Sequence, residues 1–326
     1  RLWHNPTWTK EVYGGGGTQM YNDLEDVERA IQRSKAQGMQ VLLDFHYSDR
    51  WADPGHQEIP VAWLDITEIG VLKDSVYNYT FKVMNYLESK GLLPEFVQIG
   101  NETNCGMLYE FEESPVPAFP SCNGCDGEWS NLTKVVNSAI DAVRDASADS
   151  DTKTKILLHV ADPVNVGYFI DNLTSGGGVS DFDMIGFSYY PLWHTGVALS
   201  QLSNKVSGFK TKYGKDIVIV ETAYPWTTNG DDTYTNIFGG QTPIPGYPFT
   251  QAGQLAIMKA IAQEMIDGGG IGMFYWEPAW ITSDMKDLWG TGSSWENAWG
   301  YLSYKEYERR DAEAAKAPVS AVDTDQ

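Results

Sequence analysis

The sequence predicts an α/β fold of the (β/α)8-barrel type, carried by one domain. Three observations predict it. Segments with strand patterns alternate with segments of helical periodicity along the chain. The strand segments are continuous apolar runs rather than half-polar ones, as expected for a parallel sheet covered on both faces. Polar and aromatic residues gather just after each run, at Asp44/His46, Asn101/Glu102, Asp162, Tyr190, Glu221 and Trp276/Glu277. A barrel places functional residues at the C-terminal end of many strands. A doubly wound sheet would concentrate them at one switch point and usually bring a Gly-rich first turn.

Arg1-Leu2-Trp3 reads as the last residues of a strand, and His4-Asn5-Pro6 turns out of it. Gly14 to Gly17 form a flexible loop without the Lys and Ser/Thr that a phosphate cradle needs. Leu24, Val27 and Ile31 mark a helix ending near Gly38. The run from Val41 to Tyr47 is the next strand, followed by a loop with Trp51, Asp53, His56 and Trp63. Val76, Thr80, Val83 and Leu87 give a helix that closes at Gly91. Val97-Gln98-Ile99-Gly100-Asn101-Glu102 is a buried strand that switches abruptly to an amide and a carboxylate. After a long loop, Leu132, Val135, Ala139 and Val143 mark a helix. Ile156 to Val160 and Met184 to Tyr190 are strands, and a helix around Leu202 to Phe209 leads to Ile217-Val218-Ile219-Val220-Glu221. Leu255, Met258, Ala262 and Met265 mark the next helix, and Ile271 to Glu277 is the final strand.

The 326 residues carry a formal net charge of −21, which argues against nucleic acid or an anionic membrane surface as partner. No run approaches the roughly 18–20 apolar residues of a membrane span. The 12 Trp and 18 Tyr can stack on sugar rings, although large aromatics also fill cores. Cys105, Cys122 and Cys125 allow one disulfide, either local or linked to Cys105, with a leftover thiol; no second Cys pair supports zinc. Sequons at Asn78, Asn131 and Asn172 are compatible with secretion, and the one at Asn101 is too buried to matter.

One Glu at a strand end is an ordinary carboxylate. Two, Glu102 and Glu221, each end an interior strand and each precede a Thr. Glycosidic hydrolysis needs such a pair: one acid protonates the leaving oxygen, and a second carboxylate attacks the anomeric carbon or activates water. His46 with Asp44 and Asp49 could hold a metal, but reads equally as a sugar-binding edge and a satisfied core acid. His159, in an aliphatic strand, reads as a packed histidine, and Glu277 as held by its neighbours.

Asn-Glu ending a fourth barrel strand and Glu ending a seventh resemble the clan of retaining (β/α)8 glycoside hydrolases. The stretches Asp44-Phe45-His46-Tyr47-Ser48-Asp49, Trp51-Ala52-Asp53-Pro54, Gly100-Asn101-Glu102-Thr103 and Phe274-Tyr275-Trp276-Glu277-Pro278-Ala279-Trp280 resemble one family within it, the endo-β-1,4-galactanases. The resemblance implies Glu102 as acid/base and Glu221 as nucleophile. It implies that Asn101 binds the substrate 2-hydroxyl, that Arg1 and Tyr190 hydrogen-bond the nucleophile and keep it ionised, that His46 lines the pocket, and that Trp276 is its aromatic floor. It further implies a secreted, monomeric, cofactor-free hydrolase acting on β-1,4-galactan side chains of pectin. Some family members carry calcium after the seventh strand on an acidic motif with a His. Asn229 to Asp232 resembles it only faintly and lacks the His, so no metal is expected.

Against the family pattern, the chain lacks the first strand and its helix, most of the second strand, and the last helix. The expectation is an open, seven-stranded arc, the first strand a stub, prone to aggregate. The two carboxyls are expected about 5–5.5 Å apart, the retaining separation. The rival readings are a cellulase or mannanase on the same barrel, and a glycan-binding protein that would have lost one acid.

Overall fold

The computed structural model describes residues 1–12, 18–111, 116–229, 238 and 240–278. Seven helices are described here: α1 (Thr9–Val12), α2 (Leu24–Ala36), α3 (Ile69–Ser89), α4 (Trp129–Ser147), α5 (Val166–Thr174), α6 (Leu202–Tyr213) and α7 (Gln251–Asp267). Interleaved with them are β1 (Leu42–Phe45), β2 (Phe96–Ile99), β3 (Lys155–Ala161), β4 (Met184–Ser188), β5 (Asp216–Thr222) and β6 (Gly272–Tyr275). The strands form one sheet in the order β1-β2-β3-β4-β5-β6, every neighbouring pair parallel. Such an order, with no reversal, is that of a barrel wall; a doubly wound sheet reverses at its switch point. The expected first strand is present only as Leu2, which makes one parallel bridge to Phe45. Among the described residues the arc is open, with β1 and β6 at its ends.

From β1 to β5 both faces are largely buried, which is why those strand sequences are mostly apolar, while Phe274 and Tyr275 of β6 are exposed. One face, with Leu43, Phe45, Val97, Ile99, Ile156, Leu158, Phe187 and Ile219, packs with the helices in the main core. The other face, with Leu157, Met184, Val218 and Val220 against Leu42 and Phe96, fills the barrel interior. Gly186 sits between them, where an added Cβ would come within 2.8 Å of Val220 and 2.9 Å of Leu157. A larger residue there would displace the inner layer.

The helices bury the stripes read from the sequence in α2, α3 and α4. Thr80, the one hydroxyl in the α3 stripe, is satisfied by Tyr47 Oη at 2.8 Å. Asp23 caps α2, accepting from the Asp26 N–H at 2.9 Å, and Thr250 caps α7 through Gly253 N–H at 3.0 Å. Two expectations need correction. The buried face of α7 is Gly253, Ile257, Ile261 and Met265, while Leu255 is exposed. Helix α5, with Val166, Phe169, Ile170 and Leu173 buried, was not expected at all. The disulfide joins Cys105 to Cys125 with Cα atoms 5.1 Å apart, and leaves Cys122 as the buried thiol. Gly14 to Gly17 and the segment from Gly230 to Asp232 lie outside the described residues.

Candidate active site

Polar side chains enter the barrel interior above the apolar layer. Asp44 of β1, Gln98 of β2 and His159 of β3 share the inner face with Leu42, Phe96 and Leu157, two residues apart along each strand. The Gln98 amide nitrogen donates to Asp44 Oδ1 at 2.7 Å and lies 3.0 Å from His159 Nδ1. These three tie neighbouring strands together just below the candidate acids.

Glu102 leaves β2 through two left-handed residues. Gly100 has φ 77°, and a Cβ there would stand 2.5 Å from Thr103 Cγ2; Glu102 itself has φ 48°. Such a φ is unfavourable for a non-glycine residue and persists only where neighbours enforce it. Here β3 enforces it. The His159 carbonyl accepts from both Thr103 N–H and Thr103 Oγ1 at 3.0 Å, and the Glu102 N–H donates to His159 Nδ1 at 3.2 Å. The Thr that follows Glu102 is therefore a latch. Thr222, which follows Glu221, makes no matching contact: among the described residues its hydroxyl has no partner.

Glu221 reaches the same space through an irregularity. With strict alternation it would share the helix-facing side with Ile217 and Ile219. The β4–β5 register instead shifts, so that Phe187 pairs with Ile219 but Ser188 with Glu221; the β5–β6 register shifts at the same place. The extra residue turns Glu221 inward beside Ser188, as a β-bulge does.

One carboxylate oxygen of Glu102, one of Glu221 and a ring nitrogen of His159 all lie within 4.8 Å of one another. This is close to the roughly 5–5.5 Å of retaining glycosidases and well inside the roughly 6.5–9.5 Å of inverting ones. Arg1 Nη2 donates to Glu221 Oε1, and Tyr190 Oη donates to Glu221 Oε2 at 2.7 Å. With a guanidinium on one oxygen and a phenol on the other, the trio is a poor cation site despite its ligand types. Burial opposes the charge of Arg1, but Glu221 and Asp44 outweigh it and hold its pKa above the ordinary value. Glu102 is pushed well above the usual carboxylate range, first by burial and then by the charge of Glu221; Ser188 and Arg1 pull the other way.

The remaining expected residues fall around this pair. Asn101 is buried, its amide donating to Ala52 O at 2.7 Å and its carbonyl oxygen 3.1 Å from Gln98 Nε2. His46 is fully enclosed, one remove from Glu221 rather than beside it. Its Nδ1 accepts from Ala52 N–H at 2.9 Å, and its Nε2 lies 3.2 Å from Asp44 Oδ2, off the line of a good hydrogen bond. Asp44 Oδ2 in turn lies 3.5 Å from Arg1 Nε, so His46 acts on the pocket through Asp44 and Arg1. Trp51 supports the same guanidinium, its ring centroid 4.8 Å from Arg1 Cζ. Trp276 is partly exposed at the end of β6, edge-on to Tyr190 with centroids 6.2 Å apart.

Sequence reasoning missed Ser188 and undervalued His159 and Gln98. The signal was present: period-two alternation places Ser188 on the inner face with Met184 and Gly186, and His159 with Leu157.

A parallel β/α arc with two facing carboxyls, one raised above the usual carboxylate range by burial and its neighbour and one paired with Arg, defines a glycoside hydrolase of the barrel type. The chain belongs to glycosyl hydrolase family 53, whose family model matches residues 1–307. It is 40% identical to an arabinogalactan endo-β-1,4-galactanase of Cellvibrio japonicus over 298 residues, covering 91% of this chain and 74% of that protein. It is 32% identical to an endo-β-1,4-galactanase of Bacillus subtilis, covering 96% and 68%. Among solved structures, the family 53 catalytic domain of Ignisphaera aggregans superimposes with a TM-score of 0.73 at 32% identity, covering 91% and 78%.

Proposed function

We propose that this chain is a retaining endo-β-1,4-galactanase, with Glu102 as acid/base and Glu221 as nucleophile. The observation that carries the roles is the asymmetry between two carboxyls whose oxygens come within 4.8 Å. Burial and Glu221 favour the protonated form of Glu102, while Arg1 and Tyr190 occupy the two oxygens of Glu221. In the first step Glu221 attacks the anomeric carbon and the Glu102 proton passes to the leaving oxygen as the glycosidic bond breaks. Glu221 is then an uncharged ester. Its repulsion of Glu102 disappears, so Glu102 becomes more acidic at the moment it must act as a base. It takes a proton from water, the water attacks the anomeric carbon, and Glu221 is released.

The substrate reading rests on two relatives, one named as an arabinogalactan endo-β-1,4-galactanase at 40% identity and one as an endo-β-1,4-galactanase at 32%. The net charge of −21 suits a neutral glycan. We place the enzyme outside the cell, where a polysaccharide substrate is met, as a monomeric single catalytic domain acting on galactan side chains of pectin.

The test has two arms. Hydrolysis of galactan should exceed hydrolysis of cellulose and mannan, and parity with either would shift the specificity to that sister class. Glu221→Ala should lose activity that azide restores with inverted stereochemistry, because the cavity lies on the attacking face while the acid is intact. Glu102→Ala should lose about 10²–10⁴-fold on galactan. In that variant azide should rescue only substrates with good leaving groups, with retention. Exchanged outcomes would exchange the two roles.

A further inference from the structure

Glu102 is joined to itself by a ring of three hydrogen bonds that the double-displacement mechanism does not require. Its N–H donates to His159 Nδ1 at 3.2 Å, His159 Nε2 lies 2.9 Å from Ser188 Oγ, and Ser188 Oγ lies 2.5 Å from Glu102 Oε1. The partners fix the direction of each bond. Nδ1 faces two donors, the Glu102 N–H at 3.2 Å and the Gln98 amide nitrogen at 3.0 Å, against one acceptor, Asn101 Oδ1 at 3.1 Å, so we assign the ring proton of His159 to Nε2, where it points at Ser188. The Ser188 oxygen accepts that proton, and its own hydrogen is left to donate to Glu102 Oε1. Both side chains are fully buried, on adjacent strands β3 and β4, so neither can swing away. Burial lowers the His159 pKa to about 3, which keeps the imidazole neutral and the tautomer constant at working pH.

We propose that His159 and Ser188 form a positioning relay that ties Glu102 Oε1 back to the barrel wall and leaves Oε2 as the oxygen that exchanges the proton with substrate. This inference rests on the assignment of Glu102 as acid/base. In glycosylation the Oε2 proton passes to the glycosidic oxygen as its bond to the anomeric carbon breaks; Ser188 and His159 keep their protons throughout. The relay sets the direction of transfer, and misdirection by about 1 Å can cost on the order of 100-fold. It also limits how far Glu102 is made weakly acidic. The groups that face it are Glu221 from β5, Asp53 from the loop after β1, Tyr190 after β4, and Arg1. The carboxylates raise its pKa, while the Ser188 hydroxyl and Arg1 oppose them.

The experiment compares kcat/KM for two aryl β-1,4-galactotriosides, one with a dinitrophenyl leaving group that needs no acid and one with a methoxyphenyl group that does. Ser188→Ala should lose about tenfold or more on the methoxyphenyl substrate and change less than about twofold on the dinitrophenyl one. The alkaline limb of its methoxyphenyl pH profile should move to higher pH, because a hydrogen bond favouring ionised Glu102 is gone. Ser188→Thr, which keeps a hydroxyl, should recover the methoxyphenyl rate. His159→Asn serves as a second variant read in the same way, with thermal unfolding recorded for each. Equal losses on both substrates, or an alkaline limb that stays in place, would mean that the pair only supports the fold. Glu102→Gln run alongside separates the two claims: if it spares the methoxyphenyl substrate, the acid assignment itself fails.

Discussion

Glu102, the acid/base we propose, illustrates how a residue can be unfavourable to the fold and still suit the chemistry. It combines a left-handed backbone with a buried carboxyl facing a second carboxylate. Its folded pKa is raised, so the stability it supports is present below the ordinary Glu range and is lost as pH rises through the folded value. Glu102→Gln should therefore raise the melting temperature at pH 8 and do so less at pH 4, measured by calorimetry on the same samples. A shift of the same size at both pH values would show that the carboxyl is not protonated in the native state. For activity the sign is similar: the alkaline limb of kcat/KM on galactan should lie above the usual carboxylate range, since the acid must keep its proton. Trp276 makes a separate prediction. Its strand-end indole beside Tyr190 is partly open, so Trp276→Ala should lower kcat/KM by about tenfold, equal to about 1.4 kcal/mol, with little change in urea midpoint. A larger loss of stability than of activity would make it a core residue instead.

Among the elements, β5 separates what a sequence shows from what it hides. Its aliphatic run announced a strand, because both faces of that strand are buried and no polar alternation is needed. The bulge that turns Glu221 inward has no comparable signature, since neither Gly nor Pro marks it and every residue from Ile217 to Val220 is β-branched. Glu221 was singled out by its residue type at a strand end, a position where simple alternation points to the helices. Deleting Val220 should restore alternation, turn Glu221 outward and abolish hydrolysis while most of the helical circular dichroism remains. An active deletion variant would show that the inward direction does not depend on the extra residue. Helix α7 was misread for the opposite reason. It is apolar around much of its circumference, so the stripe Leu255-Met258-Ala262 fits a helical period as well as the stripe that is buried. Helix α5 is only nine residues long, between Pro163 and a glycine run, and so short an apolar segment is ambiguous by period alone. The His159–Ser188 pair escaped because each residue, alone in an aliphatic strand, reads as a filled core position.

At the scale of the whole molecule, the fold and the family were legible because polar and aromatic residues gather at the same end of successive strands. The pairing of the cysteines was not, because sequence spacing does not show which loop folds back. The Cys105–Cys125 bridge encloses a 20-residue separation and starts three residues after Glu102. Cys125→Ser should cost about 2–4 kcal/mol by guanidinium unfolding and loosen the loop behind the acid, with a fall in kcat larger than the change in KM. Unchanged stability would mean that the loop is held without the bridge. The ion pair between Arg1 and Glu221 has a consequence in time. Its partners stand 220 positions apart, so no local folding event can bring them together. During synthesis at about 5–20 residues per second, Arg1 waits roughly 10–45 s for its carboxylate to be made. Until then the guanidinium, Asp44 and Trp51 form half of a site with nothing to activate, and enzymatic competence arrives only after most of the wall has been translated.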